Sequence, residues 1–284
     1  MWRMTKPRGR PDAIVRPKAG KQAFEVERIA PTGPLAEFVE YYWLVRWEVQ
    51  EPYRQQVVPQ PLVHVAAEQG RLLVHGVTRE QFFRTLTGAG HVLGAAFHAG
   101  GFRPLLKRSV GTISGAVQTA DDVLGYDDRP TAARILATSD AGEMVGACEA
   151  YLAQTDPQPD PASREITALV AVAETRNDIV RAEQLANHAG MSLRNLQRLF
   201  TEYVGIGPKW VIQRFRILDA AAAAHSRQST DWSGLAQVLG FSDQAHLTRV
   251  FSEVVGSPPA TYERDQGTTK PGDGYGRRQE AGGR

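Results

Sequence analysis

The chain has 284 residues, 42% of them hydrophobic and 23% charged, with a formal net charge of +2 and one cysteine, Cys148. That length holds two domains with separate cores, and that composition belongs to a soluble globular protein. A lone cysteine excludes an internal disulfide and a cysteine-rich metal site. The absence of a long apolar run, and of an apolar stretch behind the basic N-terminus, predicts a cytosolic chain with no membrane span or secretory signal.

Residues 1–22 are rich in Pro, Gly, Lys and Arg and read as a disordered basic tail. From Phe24 to about Phe102 the pattern is of short β-type runs: Tyr41–Val49, Gln56–Val58, Leu62–Ala67, Arg71–Val74, Phe82–Leu86 and His91–Phe97. Glycines punctuate these runs, and those of G-A-G-H-V-L-G and H-A-G-G-F read as loop or bulge positions. Strands at this spacing predict a small antiparallel sheet, sandwich or barrel. Helix-period faces follow in Phe102–Ser109, Thr131–Ala137 and Glu143–Ala153. Three prolines within Gln154–Pro161 then mark a linker, because proline removes donors and keeps its predecessor extended. The fold class expected is α+β in two domains. A β-rich effector or dimerisation domain over 23–153 and a linker at 154–162 precede an all-α domain over 163–265 and a disordered tail at 266–284.

The all-α half carries an internal repeat. S-L-R-N-L-Q-R-L-F-T-E-Y-V-G from Ser192 recurs as D-Q-A-H-L-T-R-V-F-S-E-V-V-G from Asp243, and L-A-N-H-A-G-M-S from Leu185 recurs as L-A-Q-V-L-G-F-S from Leu235. Each copy reads helix, glycine turn, capped helix, which is the order of a helix-turn-helix. Ser192 and Asp243 are the expected N-caps, and Gly190 takes the left-handed position after the first helix. The copies are offset by 50 residues up to Ser192/Ser242 and by 51 from the caps onward, so copy two has one more residue in its turn.

In the first capped helix, Leu196, Leu199, Phe200, Tyr203 and Val204 form an apolar stripe. The complementary face carries Arg194, Gln197 and Arg198, side chains able to bind guanine or adenine edges bidentately. The equivalent face of copy two carries Gln244, Ala245, Thr248 and Arg249. Asn195 and His246 border these faces, and Lys209, Arg214 and Arg216 are candidates for phosphate contact, with Arg214 equally able to pair with a nearby acid. Trp210 reads as core. Between the copies, Pro208–His225 predicts a helix of about 26 Å, a rigid spacer for two recognition helices. The segment from Arg164 to Asp265 holds 11 basic and 11 acidic residues, so attraction to phosphate depends on where charges sit.

These residues resemble the AraC/XylS family of bacterial transcription regulators over Ser163–Arg264, most specifically in G-F-S-D-Q-A-H-L-T-R-V-F-S-E-V-V-G-S-P-P from Gly240. The resemblance implies base reading from the positions of Arg194, Gln197 and Arg198 and of Gln244, Ala245, Thr248 and Arg249. Ala245 departs from the polar residue often found there. Tyr41–Pro59 and Leu93–Leu106 look like an N-terminal domain of some actinobacterial-type members, without implying its ligand. The expected partners are double-stranded promoter DNA and a second copy of the chain, with a small-molecule effector and RNA polymerase as candidates. No cofactor and no catalytic residue is expected. His64, His75, His91 and His98 show no metal-ligand spacing, so solvent-facing or hydrogen-bonded strand histidines account for them better than a metal site. Two alternatives stand beside this reading: a ligand-independent dimeric regulator, and a metal-binding or enzymatic N-terminal domain tethered to DNA.

Overall fold

The computed structural model describes residues 23–224 and 230–267; side chains are described through 264. The tail expected at 1–22 lies outside these residues, as do His225 at the end of the predicted spacer and all of the tail expected at 266–284 except Gln266 and Gly267, which end the last helix.

Among the described residues, six strands form one antiparallel sheet in the order β1-β2-β5-β3-β4-β6: β1 Phe24–Ile29, β2 Val39–Val57, β3 His64–Glu68, β4 Arg71–His75, β5 Phe82–Phe97 and β6 Val117–Thr119. The runs expected separately at Tyr41–Val49 and Gln56–Val58 are parts of one 19-residue strand, and those at Phe82–Leu86 and His91–Phe97 of one 16-residue strand. Pro52 lies inside the register shift between Val49 and Tyr53, where no ladder donor is needed, so the strand continues past it.

The glycines of β5 correct the loop reading. Gly90 and Gly94 lie in mid-strand opposite Trp47 and Trp43 of β2. A Cβ on Gly94 would stand 2.2 Å from the Trp43 ring, and one on Gly90 2.7 Å from the Trp47 ring. They are seats for two indoles, a packing demand that looks in sequence like turn chemistry. Gly88, with φ of +58°, does occupy a positive-φ position at the bulge.

Four α-helices are described between β5 and the proline segment, the first of them ahead of β6: α1 Arg103–Leu106, α2 Ala120–Leu124, α3 Arg129–Ala137 and α4 Ala141–Ala153. The proline segment leads to seven more: α5 Pro161–Thr175, α6 Ala182–His188, α7 Leu193–Tyr203, α8 Pro208–Ala224, α9 Trp232–Val238, α10 Gln244–Val255 and α11 Pro259–Gly267. The architecture is thus α+β, an antiparallel sheet region followed by a helical one.

The core does not stop at the proline segment. One apolar cluster runs from Leu35 through the sheet, α4, α5 and α7 to Phe215, and a second joins Val58 to α8, α9, α10 and α11. The proline segment is itself held. Thr155 is buried, Asp160 caps α5 through the Ala162 amide at 2.9 Å, and Tyr203 of α7 donates to the Asp160 carboxylate at 2.9 Å. Ser163 donates to the Gly100 carbonyl at 2.8 Å, which seats α5 on the loop after β5. Among the described residues, no helix is long and apolar enough to cross a membrane.

Candidate DNA-binding surface

Each repeat copy folds as its letters suggest. Ser192 accepts from the Asn195 amide at 3.2 Å and Asp243 from the His246 amide at 2.7 Å, so both caps satisfy a donor that the first turn leaves open. The amide of His246 and then the hydroxyl of Ser242 hold the Asp243 carboxyl below the usual range. Gly190 and Gly240 both have positive φ, +64° and +78°. Leu196 and Phe200 of α7 and Leu247 and Phe251 of α10 are wholly buried. Val204 is buried as well, while Leu199 and Tyr203 are half-buried.

The opposite faces stand in solvent. Arg194, Gln197 and Arg198 are exposed on α7; on α10, Gln244, Ala245 and Arg249 are exposed and Thr248 is half-exposed. Asn195 accepts from Arg198 Nη2 at 3.0 Å, which steers the guanidinium along the helix. His246 contacts the Ser242 hydroxyl at 3.1 Å and packs edge-on against Phe241, so it also closes the turn. Lys209 is exposed at the start of α8.

Arg214 and Arg216 do not fit the phosphate role, being only 2% and 1% exposed. A guanidinium sealed in a protein interior cannot meet a phosphate on the surface. Arg216 instead donates from Nη2 to the carbonyls of Ala173, Arg176 and Ile179 at 2.6, 3.0 and 3.1 Å, and from Nη1 to Asp219 at 3.0 Å. It ties the end of α5 to α8. Arg214 lies 4.6 Å from the centre of the Trp210 ring, and burial lowers its pKa to about 10. Among the described residues it has no ion-pair partner, so the structure gives pairing with an acid no support.

The two units meet directly. A Cβ on Gly240 would stand 2.5 Å from Val180 Cβ, so the turn of the second unit presses on the segment entering the first. Beside this contact a cleft of about 780 Å³ is lined by Arg181, Gln184 and Asn187 of the first unit and Gln237, Ser242 and His246 of the second.

Sequence reasoning missed a second set of residues, in the sheet region. Gln81 donates to the carbonyls of Glu253 (2.9 Å) and Ser252 (3.5 Å), and Gln56 to that of Val254 (3.4 Å). These carbonyls belong to the last turn of α10, where intrahelical donors run out; that of Ser252 also accepts from the Gly256 amide at 2.9 Å. At α7 the Ser109 hydroxyl reaches the Thr201 carbonyl at 3.4 Å, Ser114 donates to Gly205 at 2.5 Å, and Arg103 pairs with Glu202 at 2.6 Å. The sheet region therefore holds the C-terminal ends of both helices whose N-terminal faces are exposed. No local motif announces such contacts, because each joins a lone polar side chain to a distant backbone group.

The histidines of the sheet are dispersed. Trp43 Nε1 donates to His64 at 3.2 Å, His75 meets Glu68 at 3.0 Å, and His91 meets the Ile135 carbonyl at 3.1 Å. Among the described residues no group of three or more His, Cys, Asp or Glu is placed to hold a metal. Cys148 is buried, and its surroundings push the thiol up to about 12 through desolvation and then the charge of Glu149; it is a core side chain.

Residues 185–265 match a helix-turn-helix domain family, and residues 27–119 match a domain of unknown function, DUF6597. The probable transcription factor PqrA of Proteus vulgaris is 35% identical over 95 residues, 33% of this chain and 75% of that protein. An uncharacterised helix-turn-helix regulator of Haemophilus influenzae is 29% identical over 98 residues, and the chain spans 33% of its length. ToxT of Vibrio cholerae, a solved structure, is 12% identical with a TM-score of 0.37, covering 85% of this chain and 98% of that one. An AraC-type regulator structure from Chromobacterium violaceum covers 39% of this chain and 97% of its own at 21% identity and a TM-score of 0.34. Fold and surface define a DNA-binding transcription regulator. The chain belongs to the AraC/XylS family.

Proposed function

We infer that this regulator inserts α7 and α10 into neighbouring major-groove segments of a promoter, reading bases with Arg194, Gln197 and Arg198 from the first and Gln244, Ala245, Thr248 and Arg249 from the second. The observation that carries the reading is the pairing of two capped helices, each buried on one face and open on the face that starts at its N-terminus. Asn195, His246 and Lys209 are assigned to the sugar-phosphate backbone; Arg214 is withdrawn from that role. The α7 face has two guanidiniums and an amide, the α10 face one guanidinium, an amide, a methyl and a hydroxyl. The first unit accordingly supplies more of the affinity, and the half-sites differ in sequence. A division into a regulatory part at 23–153 and a DNA-binding part at 163–265 goes with this reading, the former acting through its hold on the helix ends.

The test is selection of bound fragments from genomic DNA, followed by titration of the selected site with single variants. Arg198→Ala is expected to weaken specific binding by about 1–3 kcal/mol and relax preference at one position, and Arg249→Ala to have a smaller effect. Unchanged specific binding by Arg194→Ala, Arg198→Ala and Arg249→Ala together would overturn the assignment.

A further inference from the structure

The ribbon of β2 and β5 reaches from one apolar core to the other. Up to the register shift between Val49 and Tyr53 it supplies Tyr42, Leu44, Leu93 and Ala95 to the core that includes α7. Val58, the residue after its far end, belongs instead to the core of α8, α9, α10 and α11. Among the described residues, the far half, 53–57 paired with 82–86, adds no side chain to the first core. Pro52 is exposed at the shift, and Gly88 has positive φ with nothing within 4 Å of where a Cβ would stand. A bulge bends a ribbon and interrupts its ladder, so the far half takes its direction from what it touches.

Two sets of contacts fix that direction. On β3 and β4, the largely buried Glu68 carboxylate accepts from Arg84 and meets His75 at 3.0 Å, and His75 stands edge-on to Phe82 with ring centres 5.9 Å apart. A carboxylate so placed depends on both partners, because burial makes an uncompensated charge costly. At the tip, Gln56 of β2 and Gln81 just ahead of β5 donate to the carbonyls of Ser252, Glu253 and Val254, three successive residues of α10. Gly256, which ends α10, lies beneath both amides: a Cβ there would stand 3.3 Å from Gln56 Oε1 and 3.4 Å from Gln81 Oε1. The anchor on Glu68 and the grip on α10 are thus carried by one short stretch, residues 81–84.

We propose that the far half of the ribbon is a strut that sets the angle of α10 relative to α7, and with it the spacing between half-sites that one chain accepts. Gln81 and Gln56 are its positioning residues at α10, and Glu68 is its anchor on the sheet. The Gly240–Val180 contact holds the turn that enters α10, and the strut holds the end where α10 leaves. Helix α8 passes through both cores and keeps the units together, with Phe215 in one and Ile217 in the other. Two held ends fix an axis, where one held end would leave the helix free to tilt about it. Over the ~18 Å of a 12-residue helix, a tilt of roughly 10° moves one end by roughly 3 Å against the other, about the rise of one base pair. The consequence for spacing rests on the proposed DNA-binding role; the strut itself does not.

The experiment is a pulsed electron paramagnetic resonance distance measurement in the full chain without DNA, with spin labels on Arg198→Cys and Arg249→Cys. Both positions are exposed, and Cys148 is buried away from the label. One narrow distance is expected when the strut is intact. Gln81→Glu, which replaces a donor by an acceptor beside the negative end of a helix, is expected to broaden that distance or shift it by roughly 3 Å, and Glu68→Gln to do the same. Gln81→Lys, which still donates, keeps it. Thr119→Ala, which removes the N-cap of α2, lowers stability without touching the strut and leaves the distance in place. If Glu68→Gln does not fold, the partly exposed Gln81 carries the test. In a second arm, unlabelled chains are titrated with the selected DNA site and with sites one base pair longer or shorter between the half-sites. Preference for the selected spacing is expected to fall about five- to tenfold in Gln81→Glu. A distance unchanged in Gln81→Glu, the same change in Thr119→Ala, or a changed distance with unchanged spacing preference would each overturn the proposal. If the unmodified chain shows no specific binding, the DNA-binding reading fails and the distance arm alone decides the strut.

Discussion

His64 shows how one side chain records its surroundings. It accepts from Trp43 and faces His75 across the β3–β4 ladder. Burial, then the neighbouring charges of His75 and Arg28, lowers its pKa from 6.5 to about 4. The folded ring stays neutral where the unfolded one takes up a proton, so between about pH 6.5 and 4 the unfolded state binds more protons. Stability is expected to fall as the pH is lowered through that window, by at most about 1.4 kcal/mol per pH unit from this group. His64→Gln, which retains an acceptor for Trp43, should flatten the slope in urea titrations run from pH 7 to 4. Of the four histidines in the β-rich segment, only the lack of metal-ligand spacing was legible. Their partners were not, because an indole or a carbonyl opposite a strand is set by register.

At the scale of elements, the repeat was readable down to its caps and turns, since these depend on residues a few positions apart. Ser192→Ala is expected to cost about 1 kcal/mol in thermal or denaturant unfolding, the usual value of an N-cap. The two turn glycines separate a backbone effect from a packing one. Both have positive φ, but a Cβ on Gly190 meets nothing within 4 Å, whereas one on Gly240 meets Val180. Gly190→Ala should therefore cost about 1–2 kcal/mol through conformation alone. Gly240→Ala should cost more, and should weaken DNA binding beyond its effect on stability by prising the two units apart. Equal costs for the two variants, with DNA affinity unchanged, would show that the Gly240–Val180 contact does not set the units' separation. The strands were less legible than the helices. Proline and glycine in β2 and β5 look like breaks, and only the pairing of the two strands shows that the ladder runs through them.

For the whole molecule, the two apolar clusters ignore the boundary suggested by the prolines. Phe102, beside the sheet, and Phe200, on α7, belong to one core. Phe102→Ala is expected to cost about 3–5 kcal/mol. It should reduce hydrogen-exchange protection of Leu196 and Phe200 together with that of Leu93 and Ala95. Loss confined to the strand amides would mean that the sheet and helical regions unfold independently. The same continuity ties the sheet region to both capped helices. Gln56 and Gln81 hold the end of α10, and Ser109, Ser114 and Arg103 hold that of α7.

The sequence by itself determined the helix-turn-helix pair, its caps, its buried stripes and its two unequal outward faces, because all of these follow from residue type at helical spacing. Tertiary structure alone decided which basic residues are on the surface. Arg214 and Arg216 have the same letter and the same helix as a surface cation would, yet one seals the end of α5 and the other lines a cavity. It alone also decided that the sheet region holds the C-terminal ends of both capped helices. Burial and long-range hydrogen bonds depend on where distant segments meet, and that information is carried by the packing of the whole chain.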